Sequence, residues 1–248
     1  MMRIEEIQKL STKYQTIPLT IAREYCQHNI LYNLFNQKGS ENLLFKGGTA
    51  LRIIYQSPRF SEDLDFTGVK GISYYEIENI LTNMLKNLSD WGFNVDIDET
   101  KKTTGGYLAI INFSFYQLKF VIKIEISFRQ LRSKIKKAIT SVSNDYIHTY
   151  DIIHLPQEKI IDGKISALLD RSKPRDWYDL YFFLRQRMLT PRQKKILPKI
   201  LSKLEKIKMD FKKELKEFLP YSHQLIIKDF RNILLTEIKK ITNLETTI

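Results

Sequence analysis

Apolar and polar positions recur along this chain with two different periods, and the change of period divides it. Ile4, Ile7 and Leu10, and then Ile21, Tyr25, His28 and Tyr32, return every three or four residues, which predicts helices over residues 3 to about 37. Gly39 and Ser40 break the pattern, and Leu43-Leu44-Phe45 predicts a short apolar strand ending at Gly47-Gly48. Thr49 is placed to cap a helix through Ala50, Leu51, Ile53, Ile54 and Tyr55. A turn around Pro58 leads into Asp63-Leu64-Asp65-Phe66-Thr67, whose alternation predicts a strand. Ile77, Ile80, Leu81, Met84, Leu85 and Leu88 form the stripe of an amphipathic helix over 73–90. Strand-like segments follow at about 93–100, 107–116 and 118–128. In the last, Ile122, Ile124 and Ile126 take one face, and Lys123, Glu125 and Ser127 the other.

From Pro156 onward the period is helical to the end, with breaks near Pro174, Pro191 and Pro220. The predicted class is α+β. Residues 1–155 form a mixed sheet flanked by helices, and residues 156–248 form an all-helical part. A chain of 248 residues fits one large domain or two small ones.

Composition narrows the function classes. Hydrophobic residues make up 43% and charged residues 27%, a globular balance. No apolar run approaches the roughly 18 residues of a membrane span, and residues 1–10 lack a signal-peptide pattern, so a cytoplasmic protein without a membrane partner is expected. Cys26 is the only cysteine, which excludes an internal disulfide and a cysteine metal cluster. His28, His148, His154 and His223 are never at metal-binding helical spacing, which argues against a histidine zinc site. The net charge of +12 favours a polyanionic partner, nucleic acid or nucleotide; a Lys- and Ile-rich composition from an AT-rich genome is the plainer account.

Three constellations carry candidate chemistry. In the first, Gly47 and Gly48 let the backbone approach a ligand, and the helix beginning at Thr49 offers free N–H groups to a phosphate. Asp63 and Asp65, two apart on a strand, would share a face and repel unless a cation bridges them; hard oxygen ligands suit Mg²⁺ or Mn²⁺. The alternative is a D-x-D of solvated charge. In the second, Glu125 lies between Ile124 and Ile126, either as the third member of an acidic set or as an ordinary cross-strand charge beside Lys123. In the third, Lys164 and Arg171 fall seven residues apart on one helix face, and Pro174 starts a helix carrying Asp176 and Asp179. A Lys and an Arg on one face could grip a triphosphate; a surface salt-bridge lattice is the other reading. No G-x-x-x-x-G-K-[ST] is present, so this is not a P-loop.

Phe45-Lys-Gly-Gly-Thr-Ala-Leu51 followed by Arg59-Phe-Ser-Glu-Asp-Leu-Asp-Phe66 resembles the AbiEii/AbiGii toxin family of nucleotidyltransferases. The Lys123-Ile-Glu-Ile strand, the Lys164 to Arg171 helix and Arg175-Asp-Trp-Tyr-Asp-Leu180 match later motifs of that family in order, so the likeness covers about residues 40 to 185. It implies a DNA-polymerase-β-like fold that uses Mg²⁺ and an NTP. By position, Gly47, Gly48 and Thr49 would meet phosphates, and Asp63 and Asp65 would hold metal with Glu125 completing the set. Lys164, with Arg171, would bind the triphosphate, and Asp176 would lie by the active site. The wider superfamily commonly has Asp where Glu125 stands. Members typically act as toxins of toxin–antitoxin or phage-defence systems with a separately encoded antitoxin, and some relatives modify tRNA 3′ ends.

The acceptor is open at this level. The stretch 129–137 holds five cations and no acid, and 192–216 holds ten Lys/Arg against three acids, which suits the phosphates of an RNA acceptor such as a tRNA, or describes solvated surface. Transfer to a protein hydroxyl and a non-catalytic nucleotide- or RNA-binding protein of the same fold are the alternatives.

Overall fold

In a computed structural model, described for residues 1–69, 71–128 and 136–245, the chain divides into two compact units, Met1–Pro156 and Gln157–Ile248. The first holds α1 (Ile4–Lys13), α2 (Pro18–Phe35), β1 (Leu43–Lys46), α3 (Gly47–Tyr55), β2 (Leu64–Gly68), α4 (Tyr74–Asp90), β3 (Asn94–Thr103), β4 (Gly106–Phe115), β5 (Leu118–Ser127), β6 (Ala138–Val142) and β7 (Tyr150–His154). The strands form one mixed sheet in the order β3-β4-β5-β2-β1-β7-β6. β3–β4, β4–β5, β1–β2 and β6–β7 pair antiparallel; β2–β5 and β1–β7 pair parallel. The α+β class read from the periodicity is the class observed. The strands β6 and β7 were not foreseen.

One face of the sheet is the core. Phe45, Phe66, Ile124 and Ile126 are at most 2% exposed. Phe66 meets Phe35 of α2, and α2 also packs on α4, β5 and β7. The stripe of α4 buries Ile77, Ile80, Leu81, Met84 and Leu88, each worth roughly 1.5–3 kcal/mol relative to exposure. Leu85 of that stripe is only half-buried. Ser73 and Glu76 close a capping box at the α4 start. Helix α2 is buried nearly all round, polar residues included; Asn29 and Asn33 answer this by donating to the carbonyls of Tyr25 and Asn29.

The second unit, described by itself, holds α5 (Gln157–Asp170), α6 (Pro174–Arg185), α7 (Pro191–Lys194), α8 (Leu197–Lys206), α9 (Phe211–Phe218), α10 (Gln224–Lys228) and α11 (Phe230–Glu245). Trp177 and Tyr178 of α6 form its core with Phe183 and Phe230, all at most 1% exposed. No helix among the described residues is long and apolar enough to cross a membrane.

Candidate active site

The site in the first unit begins where β1 becomes α3. Gly47 has φ +87°, a conformation glycine adopts without strain. A Cβ there would stand 2.0 Å from Asp65 Oδ2, so the Asp65 carboxylate occupies the space a side chain would need. At Gly48 a Cβ would meet Arg59 Nη2 at 2.7 Å and Ser61 Oγ at 2.8 Å. Arg59 is 2% exposed and cannot swing away into solvent.

Thr49 does not cap this helix. The N-cap is Lys46, without a side-chain cap bond, and Thr49 is the third helical residue. Its buried hydroxyl donates instead to the carbonyl of Asp63, which ties the helix start to the acidic segment. Asp63 precedes β2 rather than lying in it; only Asp65 is a strand residue. Helix α2 holds the approach to both acids. Gln27 Nε2 donates to the carbonyls of Ser61 and Glu62 at 3.0 and 2.9 Å, and Arg23 pairs with Glu62 at 2.6 Å. Arg52 lies 4.0 Å over the ring of Phe60.

The third acid arrives through strand register. Asp65 of β2 is the parallel partner of Glu125 on β5 and the antiparallel partner of Lys46 on β1. Lys46, Asp65 and Glu125 therefore form a row across the sheet, on the face opposite Phe66 and Ile126. The Glu125 carboxyl is raised above its ordinary range, first by loss of water and then by the charges of Asp65 and Asp63, with Lys123 and Lys46 opposing. Among the described residues no three His, Cys, Asp or Glu side chains enclose a metal ion by themselves. Two carboxylates beside an open helix start suit Mg²⁺, which is usually bound by one or two carboxylates, waters and substrate phosphates.

The second unit holds Lys164 and Arg171 in two pairs with α6, Lys164 with Asp179 and Arg171 with Asp176. Helix α5 ends at Asp170, Ser172 turns the chain at φ +53°, and Arg171 lies beyond the helix. Each cation is held by a buried acid of α6. Lys164 Nζ stands 2.8 Å from Asp179 Oδ2. Arg171 donates from Nε and Nη2 to both oxygens of Asp176, each at 2.9 Å. Asp176 also accepts from the Lys173 backbone N–H at 3.2 Å, closing the first turn of α6.

Of the basic stretch 129–137, residues 129–135 lie outside the described residues; Lys136 and Lys137 are exposed, and Lys137 donates to the Glu41 carbonyl. In 192–216, Arg192 is engaged by Glu158 and Asp162, and Lys203 by the Leu169 carbonyl, whereas Lys195, Lys199, Lys206 and Lys212 are exposed. The supporting residues Gln27, Arg59 and Ser61 were not assigned from sequence. Arg59 and Ser61 stand inside the quoted motif, which was the available signal; Gln27 gave none.

The model of the AbiEii family, described as a nucleotidyl transferase toxin of type IV toxin–antitoxin systems, matches residues 29–243. The chain belongs to the AbiEii family. No curated protein sequence matches it. Among solved structures, this AbiEii member resembles an H. pylori protein classed as a candidate nucleotidyltransferase, at TM-score 0.67 and 21% identity over 92% of this chain and 97% of that one. It also resembles JHP933 from Helicobacter pylori, at TM-score 0.60 and 20% identity over 94% and 98%. MenT4, a nucleotidyltransferase toxin from Mycobacterium tuberculosis H37Rv, matches at TM-score 0.60 and 15% identity over 95% and 90%. At these identities the likeness shows a shared fold. Membership makes this AbiEii chain a nucleotidyltransferase toxin of the toxin–antitoxin kind.

Proposed function

We propose that the chain transfers a nucleoside monophosphate from an NTP to an RNA acceptor such as a tRNA 3′ end, in the bacterial cytoplasm, under control of a separately encoded antitoxin. The observation that carries the transfer reading is the seating of the Asp65 carboxylate against the bare Cα of Gly47, in register with Glu125. It puts acids and an uncapped helix start at one place, which suits phosphates that arrive with a cation.

Asp63 and Asp65 would hold Mg²⁺ or Mn²⁺, which when bound supplies charge to the phosphates and lowers the pKa of an attacking hydroxyl. Gly47, Gly48 and the first turn of α3 bind phosphate oxygens through backbone N–H groups, and Thr49 keeps Asp63 beside them. Lys164 and Arg171, oriented by Asp179 and Asp176, receive the triphosphate. The acceptor hydroxyl oxygen bonds to the α-phosphorus, the bond from that phosphorus to the bridging oxygen breaks, and pyrophosphate leaves. The hydroxyl proton passes to a carboxylate of the acidic row, where Glu125 stands beside Asp65.

The net charge of +12 and the exposed lysines of 192–216 support RNA over a protein hydroxyl. The test is incubation with each labelled NTP, Mg²⁺, and total RNA or total protein. Label entering the RNA pool alone is expected; label in protein alone would overturn the acceptor, and no label in either would overturn the transfer. RNA affinity should fall with salt at about −0.7 log units per log unit of salt for each phosphate contact.

A further inference from the structure

The row of Lys46, Asp65 and Glu125 does not end at Glu125. On β4, Leu108 is the partner of Glu125, and on β3, Lys101 is the partner of Leu108. The acids therefore stand beside an open sheet face that runs on over β5, β4 and β3. Phe120, Ile122, Ile124 and Ile126 of β5 turn to the core and are buried. Lys119, Val121, Lys123 and Glu125 accordingly turn to the open face, and all four are exposed. Opposite them on β4 stand Ser114, Asn112, Ile110 and Leu108, each half-buried.

Charge on this face is unevenly held. On β3, Lys101 is paired with Glu99 at 2.8 Å, and Asp96 lies at the outer edge opposite Asn112. On β5, Lys119 and Lys123 form no ion pair among the described residues. At about 3.3 Å per residue, Lys123 is roughly 7 Å and Lys119 roughly 20 Å from Glu125 along the strand. A lane along β5 thus leads to the acids, with two cations on it, Val121 between them and Ile110 and Leu108 beside them.

This pattern selects among acceptors. β4 and β5 are interior strands, paired with neighbours on both sides. An extended peptide therefore has no free strand edge to join there. Cations set among apolar contacts suit instead a chain of regularly spaced anions carrying flat rings, which is a single-stranded nucleic acid. None of the eight facing residues of β4 and β5 is aromatic, so base stacking is weak here and phosphate contacts dominate.

We infer that this lane seats the acceptor strand: an unpaired RNA 3′ end lies along β5, with its terminal hydroxyl at the acids and its preceding phosphates over Lys123 and Lys119. The inference rests on the transfer reading and deepens it, by giving the acceptor a place on the sheet of the first unit. Because the lane grips phosphates, it holds RNA with little regard to base.

The experiment measures binding of a short single-stranded RNA, labelled with a fluorophore at its 5′ end, to the whole chain by anisotropy at several salt concentrations. Labelling of the same RNA from NTP is the second readout. Lys119→Gln/Lys123→Gln should weaken binding about tenfold or more and make the slope of log affinity against log salt less negative by about 1.4, the value for two phosphate contacts. The KM for RNA should rise by a similar factor while the KM for NTP stays near wild type. Lys119→Arg/Lys123→Arg keeps the charges and should keep both affinity and slope. Lys9→Gln/Lys86→Gln makes the same charge change at exposed positions of α1 and α4, and should leave both near wild type. Unchanged affinity and slope in the Lys119→Gln/Lys123→Gln variant, or an equal loss in the α1 and α4 variant, would overturn the lane while RNA labelling by wild type still stood. No RNA binding by wild type would overturn the lane and the RNA acceptor together, and label found in protein would then keep the transfer itself.

Discussion

The acidic row of the first unit and the α5–α6 pairs of the second carry charge in different ways. In the first, Asp63, Asp65 and Glu125 stand close together, and Glu125 is pushed upward first by loss of water and then by the charges of Asp65 and Asp63. Their positions come from glycine geometry, strand register and the grip of α2 on residues 61 and 62. In the second, Lys164 and Arg171 are bound directly by Asp179 and Asp176, acids at most 1% exposed. Asp65 and Glu125 are thus brought side by side by strand register, whereas Lys164 and Arg171 each face a buried acid. Removal of Asp65 takes a like charge away from Glu125; removal of Lys164 takes a cation 2.8 Å away from the buried Asp179.

The largest effect should be on activity in the first unit. Asp65→Ala should lower NTP-dependent labelling by about 10³-fold or more, as for loss of a group that stabilises transition-state charge. Its melting temperature should equal or exceed that of wild type. Equal activity in the folded variant would remove Asp65 from the mechanism, and a large loss of stability would break the contrast between the units.

Lys164→Ala should behave differently, losing both activity and about 3–5 kcal/mol of stability, the usual cost of breaking a buried pair from one side. The double variant Lys164→Met/Asp179→Leu should recover much of that stability in urea unfolding without recovering transfer. Recovery of neither would mean that the pair is not what couples the two losses.

Gly47→Ala comes next. The positive φ costs about 1–2 kcal/mol, and the added methyl overlaps the Asp65 carboxylate. Transfer should fall further in Gly47→Ala than in Gly71→Ala, because Gly71 also has a positive φ but has nothing within 4 Å of its Cβ position. Equal activity losses in both would assign the effect to backbone strain alone.

These contrasts also mark where the sequence was readable. The period-two run over 118–128 showed that Glu125 and Ile124 face opposite ways, and β5 does so. That Glu125 and Asp65 are neighbours was hidden, because parallel pairing joins segments sixty residues apart and leaves no local signature. Gly47-Gly48 read correctly as a place of close approach, but the nearest group to Gly47 is the chain's own Asp65, which spacing cannot show. Lys164 and Arg171 looked like one helix face because a left-handed Ser172 does not announce itself as a glycine would. The strands β6 and β7, five residues each and parted by a polar turn, were too short for periodicity to separate from loop.

The smallest effect is the finest test of the crowding. A carboxyl raised in the folded chain takes up its proton more readily there than in the unfolded chain. Across the window from the ordinary glutamate value, about 4.3, up to the raised value, stability must fall as pH rises, and it stays lower above that window. Glu125→Gln removes the titration. Its melting temperature relative to wild type should therefore be higher at pH 7 than at pH 4, the difference closing as acid protonates the wild-type carboxyl. Asp65→Ala, which removes the neighbouring acid with the larger effect, should reduce that pH dependence without abolishing it, because loss of water is the first cause of the shift. A Glu125→Gln offset that stays constant from pH 4 to pH 7 would mean that the Glu125 carboxyl is not raised in the folded chain, by lost water or by Asp65 and Asp63, and the contrast with the paired charges of α5 and α6 would fail at its source.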